Sequence, residues 1–243
     1  MITVTILTKN SENSLKATLD SVKDFSEVLL FDTGSTDQTL KIAAEYPNVK
    51  IIQDTFIGFG PTHNKASSLA TYDWILSLDS DEVLTDSLSK EILTLALDPK
   101  SIYQIQRKNY FNGKWIKGCG GWHPDWVIRL YNRTATRFSG DAVHEKIISK
   151  GLFVRALAFP ILHTPYRNMS DFLAKMQTYS TLFAEQNKGR KSASLLKALL
   201  HGWSAFLKSY LLKRGCFCGK EGFIISLYNG HTAFYKYLKL SEK

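Results

Sequence analysis

The first hundred residues alternate short apolar runs with segments of helical periodicity, and this alternation limits the possible folds more than any other feature of the chain. The apolar runs of strand length are residues 3–7, 28–31, 49–52 and 74–78. The helical segments between them are residues 12–22, a stretch that begins after Thr36, and residues 64–70. Because strands that alternate with helices form parallel sheets, this half predicts an α/β fold with a mostly parallel sheet.

The second half of the chain follows a different pattern. Antiparallel strands that extend the sheet are predicted at residues 101–107, 115–117 and 126–131. Helices are predicted at residues 170–186, 192–213 and 221–239. The sequence therefore predicts that an antiparallel extension and a C-terminal helical appendage follow the parallel sheet.

Two stretches of the sequence indicate where in the cell the protein is expected. The first residues, MITVTILTKN, lack a basic prelude and a small-residue cleavage site, so they predict a first strand and a domain that stays in the cytoplasm. The longest apolar stretch of the C-terminal part, residues 195–212, is interrupted by Lys197, His201 and Lys208. Because a membrane span needs about 20 mostly apolar residues, this stretch predicts either a helix at an interface or one packed in the core.

Two carboxylates, Asp79 and Asp81, follow the fourth predicted strand, with Ser80 between them. Their alternate positions direct both side chains to the same side, and Mg²⁺ and Mn²⁺ prefer oxygen ligands of this kind. Such a cation, when it also contacts a diphosphate, neutralises charge on the phosphate oxygens. Acidic residues are also frequent in ordinary turns after strands. The triplet alone therefore indicates a cation site without establishing one.

A third carboxylate, Asp32, ends the second predicted strand and is followed by a glycine-containing turn at residues 33–37. A carboxylate at the carboxyl end of a parallel strand can accept hydrogen bonds from a base or a ribose hydroxyl. A plain strand–turn–helix connection accounts for the turn, with Ser35 or Thr36 as the helix cap. That alternative gives no reason for Asp32.

The joint order of these motifs resembles the inverting glycosyltransferases of the GT-A fold. The residues that carry this resemblance are Ile6-Leu7-Thr8-Lys9-Asn10, Phe31-Asp32-Thr33-Gly34-Ser35-Thr36-Asp37, Asn64, Asp73-Trp74 and Asp79-Ser80-Asp81-Glu82. A closer resemblance is to lipopolysaccharide core glucosyltransferases, and it is carried by Gly121-Trp122-His123-Pro124-Asp125, Arg129-Leu130, Val143-His144-Glu145-Lys146 and residues 213–222. The resemblance implies a Rossmann-like GT-A domain over residues 1–168, with a donor half of about 1–100 and an acceptor half of about 101–168. Residues 169–243 are the helical appendage.

The resemblance also implies roles for the donor residues. Thr8 and Asp32 are expected to contact the nucleobase and its ribose, and Asp79 the ribose or the metal. Asp81 is expected to bind the metal directly. Ser80 and Asn64 are assigned to the nucleotide sugar, although the start of a helix accounts for Asn64 equally well.

An inverting displacement needs a base that takes the proton of the acceptor hydroxyl. Glu145 is the candidate, with Asp125 and Asp141 as rivals that could instead orient an acceptor sugar. A plain surface carboxylate beside Lys146 is the alternative for Glu145. His144 is expected to be a packed imidazole.

His163 matches the place where some members of the family supply a third metal ligand, although a histidine after an apolar run is more often structural. On the acceptor side, Trp122 and Asp125 are expected to bind the sugar, because aromatic faces stack on the C–H faces of sugars while carboxylates bond their hydroxyls. Trp122 could equally be a core residue of the antiparallel layer.

The net charge of +9 is concentrated near the C-terminus. Residues 1–187 contain 20 basic and 20 acidic side chains, whereas residues 188–243 contain 11 basic and 2 acidic ones. A solvated basic surface is the simplest explanation. So one-sided a segment also indicates an anionic partner: phospholipid, lipopolysaccharide phosphate or nucleic acid.

Together these features predict a glycosyltransferase that depends on Mg²⁺ or Mn²⁺. The expected donor is a UDP-sugar, with UDP-glucose preferred, and the expected acceptor is the lipid-linked inner core of lipopolysaccharide. The enzyme is expected to lie on the anionic inner face of the inner membrane. One alternative keeps the fold and changes the acceptor to a protein or another envelope glycan. A non-enzymatic nucleic-acid binder is disfavoured, since it leaves Asp32, Asp79 and Asp81 unexplained, and no nucleic-acid partner is expected.

Overall fold

The computed structural model describes residues 1–141, 145–166 and 168–242 of the 243-residue chain. Its strands are β1 (Ile2–Thr8), β2 (Glu27–Asp32), β3 (Val49–Gln53), β4 (Trp74–Asp79), β5 (Glu82–Leu84), β6 (Ser101–Phe111), β7 (Lys114–Trp115), β8 (Trp126–Asn132), β9 (Phe153–Ala156) and β10 (Ile161–His163). Its helices are α1 (Leu15–Ser21), α2 (Thr39–Ala43), α3 (Phe59–Ser68), α4 (Asp86–Thr94), α5 (Met169–Asn187), α6 (Leu195–Leu207) and α7 (Gly219–Ser241). His144 lies outside the described residues.

The four predicted strands of the first half form the predicted parallel sheet, in the order β3-β2-β1-β4. β1 pairs in parallel with β2 and with β4, and β2 pairs in parallel with β3. Val4, Leu30 and Leu76, at the centres of three of these strands, are fully buried. Parallel sheets are buried in this way because helices cover both faces. The predicted α/β fold with a mostly parallel sheet is confirmed.

Antiparallel strands extend the sheet on the β4 side, as predicted. β8 pairs antiparallel with β4 and with β6, and the order continues β4-β8-β6-β10-β5. β5 and β10 were not predicted, because three-residue strands are too short to show a periodicity. Their antiparallel pairing is nevertheless what builds one side of the candidate site.

Two helices differ in detail from the sequence prediction. α3 begins at Phe59, before the predicted helical segment 64–70, since Pro61 fits the first turn of a helix, where its missing N–H is not needed. α2 begins at Thr39, and neither Ser35 nor Thr36 caps it. The Ser35 hydroxyl donates to Asp32, and the Thr36 backbone N–H donates to Asn10 Oδ1 at 2.8 Å.

The chain forms two compact units. The first contains Met1–Arg107 and Trp126–His163, and the second contains Lys108–Asp125 and Thr164–Lys243. The predicted appendage at 169–243 falls within the second unit, which also takes up 108–125, a segment that we expected in the acceptor half. The division into donor and acceptor halves stays a prediction.

The second unit has its own core and the three predicted C-terminal helices. The core residues are Phe111, Ile116, Cys119, Trp122, Phe172, Cys218 and Ile225. α6 continues into a π-helical turn at Lys208–Leu212, and a 3-10 turn at Gly215–Cys218 leads into α7. Within the described parts of the chain, the helices are too short or too polar to cross a bilayer.

Candidate functional site

The carboxyl ends of β1, β2 and β4 bring three predicted donor residues to one edge of the sheet. Thr8, at the end of β1, is in register with Asp32 of β2. Its neighbour Leu7 is in register with Asp79 of β4. Open α/β sheets bind their ligands at this edge, so the fold places these side chains where a ligand is expected.

Asp32 and Thr8 differ in how much of their hydrogen-bonding capacity is used. Asp32 is fully buried, and its Oδ2 accepts from the backbone N–H groups of Gly34 (3.1 Å) and Ser35 (3.0 Å). These bonds close the turn in which Gly34 has a φ of 99°, so Asp32 has a structural role that the sequence analysis missed. Thr8 Oγ1 is buried without a hydrogen-bond partner among the described residues. Leaving a buried hydroxyl without a hydrogen bond costs about 1–3 kcal/mol of stability. A ligand that forms a hydrogen bond with this hydroxyl removes the cost.

Asp79 belongs to a cluster of two carboxylates and two guanidinium groups, in which Glu82 and Arg129 are buried and the Asp79 side chain is 39% exposed. Glu82 is fully buried, and its Oε1 accepts from Arg129 Nη2 at 2.6 Å and from Arg107 Nη1 at 3.0 Å. Arg129 Nη2 also donates to Asp79 Oδ2, and Arg107 Nη1 lies 3.7 Å from the same oxygen. Glu82 Oε2 accepts from the backbone N–H of Asp79 at 3.0 Å. The turn after β4 is therefore fixed by ionic hydrogen bonds.

Asp79 and Arg129 each stabilise the ionised form of the other. Burial raises the pKa of Asp79, but Arg129, with smaller contributions from His63, Arg107 and His163, outweighs this effect and holds the pKa well below its ordinary value. Burial lowers the pKa of Arg129, and the charges of Asp79 and Glu82 outweigh it and raise this pKa further above its ordinary value. Asp79 is therefore a carboxylate that can only accept hydrogen bonds or bind a cation.

Ser80 faces the loop that follows β1. Its Oγ lies 2.8 Å from Ser11 Oγ, and its carbonyl oxygen accepts from Thr18 Oγ1 at 3.1 Å. These contacts hold the turn of the triplet against the first helix. A contact between Ser80 and the donor stays a prediction.

Asp81 and His163 lie side by side, as their shared assignment to a metal requires. The antiparallel pairing of β5 with β10 puts His163 in register with Glu82, the residue next to Asp81. His163 Nε2 is 3.5 Å from Asp81 Oδ1. The two side chains are 11% and 33% exposed, so a ligand can reach them.

This pair fits a divalent cation that also coordinates a phosphate. Within residues 1–141, 145–166 and 168–242 no group of three or more His, Cys, Asp or Glu side chains could hold a metal by itself. Mg²⁺ and similar ions are commonly held by one or two protein ligands together with substrate phosphates and water. The carboxylate and imidazole can therefore supply the protein's share of the coordination, and a diphosphate the remainder.

Asn64 contacts the loop that leads to Glu145. Its Nδ2 donates to the Phe138 carbonyl oxygen at 3.0 Å, and its Oδ1 accepts from the Phe138 N–H at 2.9 Å. Near the start of the same helix, Gly60 N–H donates to the Asp141 carbonyl at 3.1 Å, and a Cβ at Gly60 would lie 2.0 Å from the Ser139 carbonyl oxygen. α3 therefore holds residues 138–141, which favours the structural alternative for Asn64 over the donor contact.

Glu145 is partly buried and precedes a segment that is paired with residues 138 and 139. Phe138 forms an antiparallel bridge with Ile147, and the Ser139 N–H donates to the Lys146 carbonyl at 2.8 Å. The rival Asp141 accepts from the Ser139 hydroxyl at 2.8 Å. Glu145 belongs to the first unit, together with Asp81 and His163. Its role as base stays a prediction.

The predicted acceptor residues belong to the second unit. Trp122 is 8% exposed, and its ring stacks on Tyr166 at 5.8 Å and on Phe172 at 6.5 Å between ring centroids. This burial favours the core alternative for Trp122 and leaves little of the ring for a sugar. Asp125 is partly exposed, and its Oδ2 accepts from Asn109 Nδ2 at 2.9 Å.

No role in the site was predicted for Arg107, Arg129 or Glu82, although Glu82 and Arg129 belong to motifs that carry the resemblance. A signal was available for Arg129, since it is a lone basic residue within the apolar strand Trp126–Asn132. A charge in a buried strand is rarely found without an opposite charge beside it. Nothing in the sequence identified Asp79 and Glu82 as the partners, because their proximity depends on the pairing of β8 with β4.

Sequence comparisons give relatives over nearly the whole chain. Residues 3–158 match the family described as Glycosyl transferase family 2. The chain is 27% identical over 260 residues to an uncharacterized glycosyltransferase of Rickettsia typhi, covering 99% of this chain and 87% of the relative. It is 25% identical over 251 residues to the lipopolysaccharide core biosynthesis glycosyltransferase LpsC of Rhizobium meliloti, covering 98% of this chain and 91% of LpsC.

Solved glycosyltransferases share the fold. Mannosyltransferase PcManGT from Pyrobaculum calidifontis, in complex with GDP-Man and Mn²⁺, matches with a TM-score of 0.56 at 16% identity, covering 100% of this chain and 87% of the other. S. aureus TarS 1–349, in complex with UDP-GlcNAc, matches with a TM-score of 0.51 at 17% identity, covering 99% and 90%. The GT-A fold is confirmed. The chain belongs to glycosyl transferase family 2 and is a nucleotide-sugar-dependent glycosyltransferase.

Proposed function

We propose that this glycosyltransferase moves a hexose, glucose from UDP-glucose, onto the inner core of lipopolysaccharide with inversion at the anomeric carbon. The observation that carries the proposal is the pairing of Asp81 with His163 at the sheet edge, with a nitrogen-to-oxygen distance of 3.5 Å. The sequence assigned Asp81 and His163 to one cation for separate reasons, and the two side chains lie next to each other in the structure. The similarity to LpsC over 98% of the chain supports the choice of acceptor.

The donor occupies the edge formed by β1, β2 and β4. The Thr8 hydroxyl, which has no partner in the described part of the chain, bonds the nucleobase or its ribose, and Asp32 accepts a further hydrogen bond beyond those that close its turn. Asp79, oriented by Arg129, contacts the ribose or the metal. Asp81 and His163 hold Mg²⁺ or Mn²⁺, which when bound neutralises the charge that develops on the leaving diphosphate.

Glu145 acts as the general base. The acceptor hydroxyl oxygen forms a bond to the anomeric carbon, the bond from that carbon to the diphosphate oxygen breaks, and the hydroxyl proton passes to the Glu145 carboxylate. The hydrogen bonds of Asn64 to Phe138 and of Gly60 to Asp141 hold the segment that precedes this base in the chain. Asp125 orients the acceptor sugar.

The C-terminal part attaches the enzyme to the inner face of the inner membrane. Residues 188–243 carry 11 basic and 2 acidic side chains, and each cation near an anionic lipid surface contributes on the order of 1 kcal/mol. Lipid A phosphates of the acceptor offer the same chemistry. Several such contacts are enough for reversible attachment.

Glu145→Gln tests the assignment of the base and the donor together. We expect the wild type to consume UDP-glucose in the presence of Mn²⁺ or Mg²⁺ in preference to GDP-, TDP- and CMP-sugars. Glu145→Gln is expected to slow transfer to a truncated lipopolysaccharide acceptor by about 10²–10⁴-fold, because it removes the proton acceptor and preserves the size of the side chain. Its affinity for UDP, measured by calorimetry, is expected to stay unchanged.

Glu45→Gln is the matched control, since Glu45 is an exposed carboxylate of the first unit. It is expected to transfer glucose at the wild-type rate. Equal rates for Glu145→Gln and the wild type would contradict the assignment of the base. Turnover with a GDP-sugar alone would contradict the assignment of the donor, and transfer to protein but not to truncated lipopolysaccharide would contradict the acceptor.

A further inference from the structure

Helices α6 and α7 of the second unit cross at two glycines. A Cβ added at Gly202 would lie 2.9 Å from Phe234 Cβ, and one added at Gly230 would lie 3.0 Å from the Gly202 carbonyl oxygen. The helix backbones can approach this closely only because neither residue has a side chain. The larger side chains beside the crossing then form the walls of a groove.

The groove has a volume of about 740 Å³ and is lined mostly by apolar side chains of both helices, with His231 and Tyr235 also in the lining. Its walls include Leu199, Trp203, Phe206, Phe223, Leu227 and Phe234. Trp203 is 65% exposed, Phe223 46% and Leu227 39%. Contiguous apolar surface of this kind marks a binding site for an apolar ligand or a membrane, and the volume lies within the range of roughly 300–1,000 Å³ of ligand pockets.

Exposed apolar residues continue from the groove along α6 and past its end. They are Leu195, Leu196, Leu207, Leu211, Leu212 and Phe217. Between them lie exposed cations, at Lys208, Lys213, Arg214 and Lys220. An occupant that matches this surface therefore combines hydrocarbon with negative charge.

The positive charge around the groove distinguishes between three possible occupants. A second copy of the chain would bring two segments with 11 basic and 2 acidic side chains against one another, and like charges across an interface cost several kcal/mol. A nucleic acid would satisfy the cations but would leave the aliphatic lining of Leu199 and Leu227 without a partner. An anionic lipid satisfies both, with its headgroup at the cations and its chain in the groove.

We propose that the groove between α6 and α7 binds an acyl chain of an anionic membrane lipid. The proposal deepens the membrane attachment under the proposed function and rests on it. It adds a defined site in which one hydrocarbon chain leaves the bilayer core and packs between Trp203 and Leu227. Attachment is then selective for anionic lipid and is not purely electrostatic.

The test uses fluorescence of the full chain with vesicles whose phosphatidylcholine and phosphatidylglycerol carry bromine on the acyl chains. Bromine quenches tryptophan at short range. The wild type is expected to lose emission on vesicles that contain phosphatidylglycerol and to lose little on phosphatidylcholine alone. Trp203→Phe is expected to remove most of this loss, whereas Trp126→Phe, which changes a 45% exposed tryptophan of the first unit, is expected to retain it.

Leu227→Glu tests the groove itself, because it places a charge among the lining side chains. It is expected to abolish quenching of Trp203. Leu69→Glu makes the same change of charge at a residue of similar exposure, 41%, in the first unit, and is expected to leave quenching intact. Circular dichroism checks that both variants are folded.

Co-sedimentation with the same vesicles separates the outcomes. If the wild type sediments with phosphatidylglycerol vesicles while Trp203 is not quenched, the groove proposal is wrong and the electrostatic attachment stands. Quenching that survives in Leu227→Glu also overturns the groove. If the wild type does not sediment at all, the attachment falls together with the groove, while UDP-glucose turnover remains a separate test of the transferase.

Discussion

Asp81→Asn is expected to lower the turnover of UDP-glucose at least about 100-fold, which corresponds to about 2.7 kcal/mol in activation free energy. The substitution keeps the size of the side chain and removes the charge that, with His163, is proposed to hold the cation. Loss of residues that only orient a metal ligand already costs about 10–100-fold, so loss of a direct ligand is expected to reach at least the upper end. The measurement is initial-rate turnover over a series of Mn²⁺ concentrations, in which the variant needs more Mn²⁺ for half-maximal activity.

Asp86→Asn is the matched control for this prediction. Asp86 is an exposed carboxylate in the first turn of α4, close to Asp81 in the chain, and the structure gives it no place in the site. Its variant is expected to keep the wild-type rate and Mn²⁺ dependence. If Asp81→Asn behaved like Asp86→Asn, the assignment of Asp81 to the metal would be wrong.

Arg129→Met is expected to lower the free energy of unfolding by about 3–5 kcal/mol. The Arg129 side chain is 9% exposed, and it bonds both Glu82, which is fully buried, and Asp79, which is 39% exposed. Methionine fills much of the same volume but leaves Glu82 with one cationic partner, Arg107, and Asp79 without its direct hydrogen bond. Breaking a buried ion pair costs this much because a desolvated charge is left behind. Equilibrium unfolding in urea measures the change.

Arg155→Met provides the comparison, because Arg155 forms an ion pair with Asp98 in which the side chains are 59% and 36% exposed. Exposed pairs contribute at most about 1 kcal/mol, so this variant is expected to unfold near the wild-type midpoint. Equal destabilisation by the two substitutions would mean that the cluster around Glu82 contributes no more than a surface pair.

Much of the fold could be predicted because its signals are local. The four parallel strands each have an apolar run, and the three C-terminal helices extend over many turns, so periodicity identified all seven elements. The start of α3 was missed because the prediction began at Asn64, after the turn that contains Gly60 and Pro61. The short strands β5 and β10 have no local signal and form through strand pairing, β5 with β10 and β10 also with β6.

The candidate site could be predicted only in part, because some of its contacts depend on strand pairing that has no local signal in the sequence. Asp32, Asp79 and Asp81 end or follow strands of a parallel sheet, and strand order alone brings such residues to one edge. The proximity of His163 to Asp81 depends on the pairing of β10 with β5, so the sequence could give His163 only through a resemblance. Trp122 shows the opposite case, since an aromatic residue in a motif proved to be part of a hydrophobic core.

The two histidines nearest to this edge illustrate why burial decides between similar residues. His63 is 2% exposed, and its ring stacks on Phe138 with 4.4 Å between the ring centroids. Burial lowers the pKa of His63 to about 4. It is a neutral core residue. His163 is more accessible and faces a carboxylate, so it is the histidine that can bind an ion from solution.

The location of Mn²⁺ in crystals grown with Mn²⁺ and UDP tests the central claim most directly. Anomalous scattering identifies the metal independently of the protein. The account predicts one Mn²⁺ within coordination distance, about 2–2.5 Å, of both an Asp81 carboxylate oxygen and His163 Nε2, with the UDP diphosphate completing the coordination. Bound UDP with Mn²⁺ elsewhere, or with no Mn²⁺ at all, would contradict it.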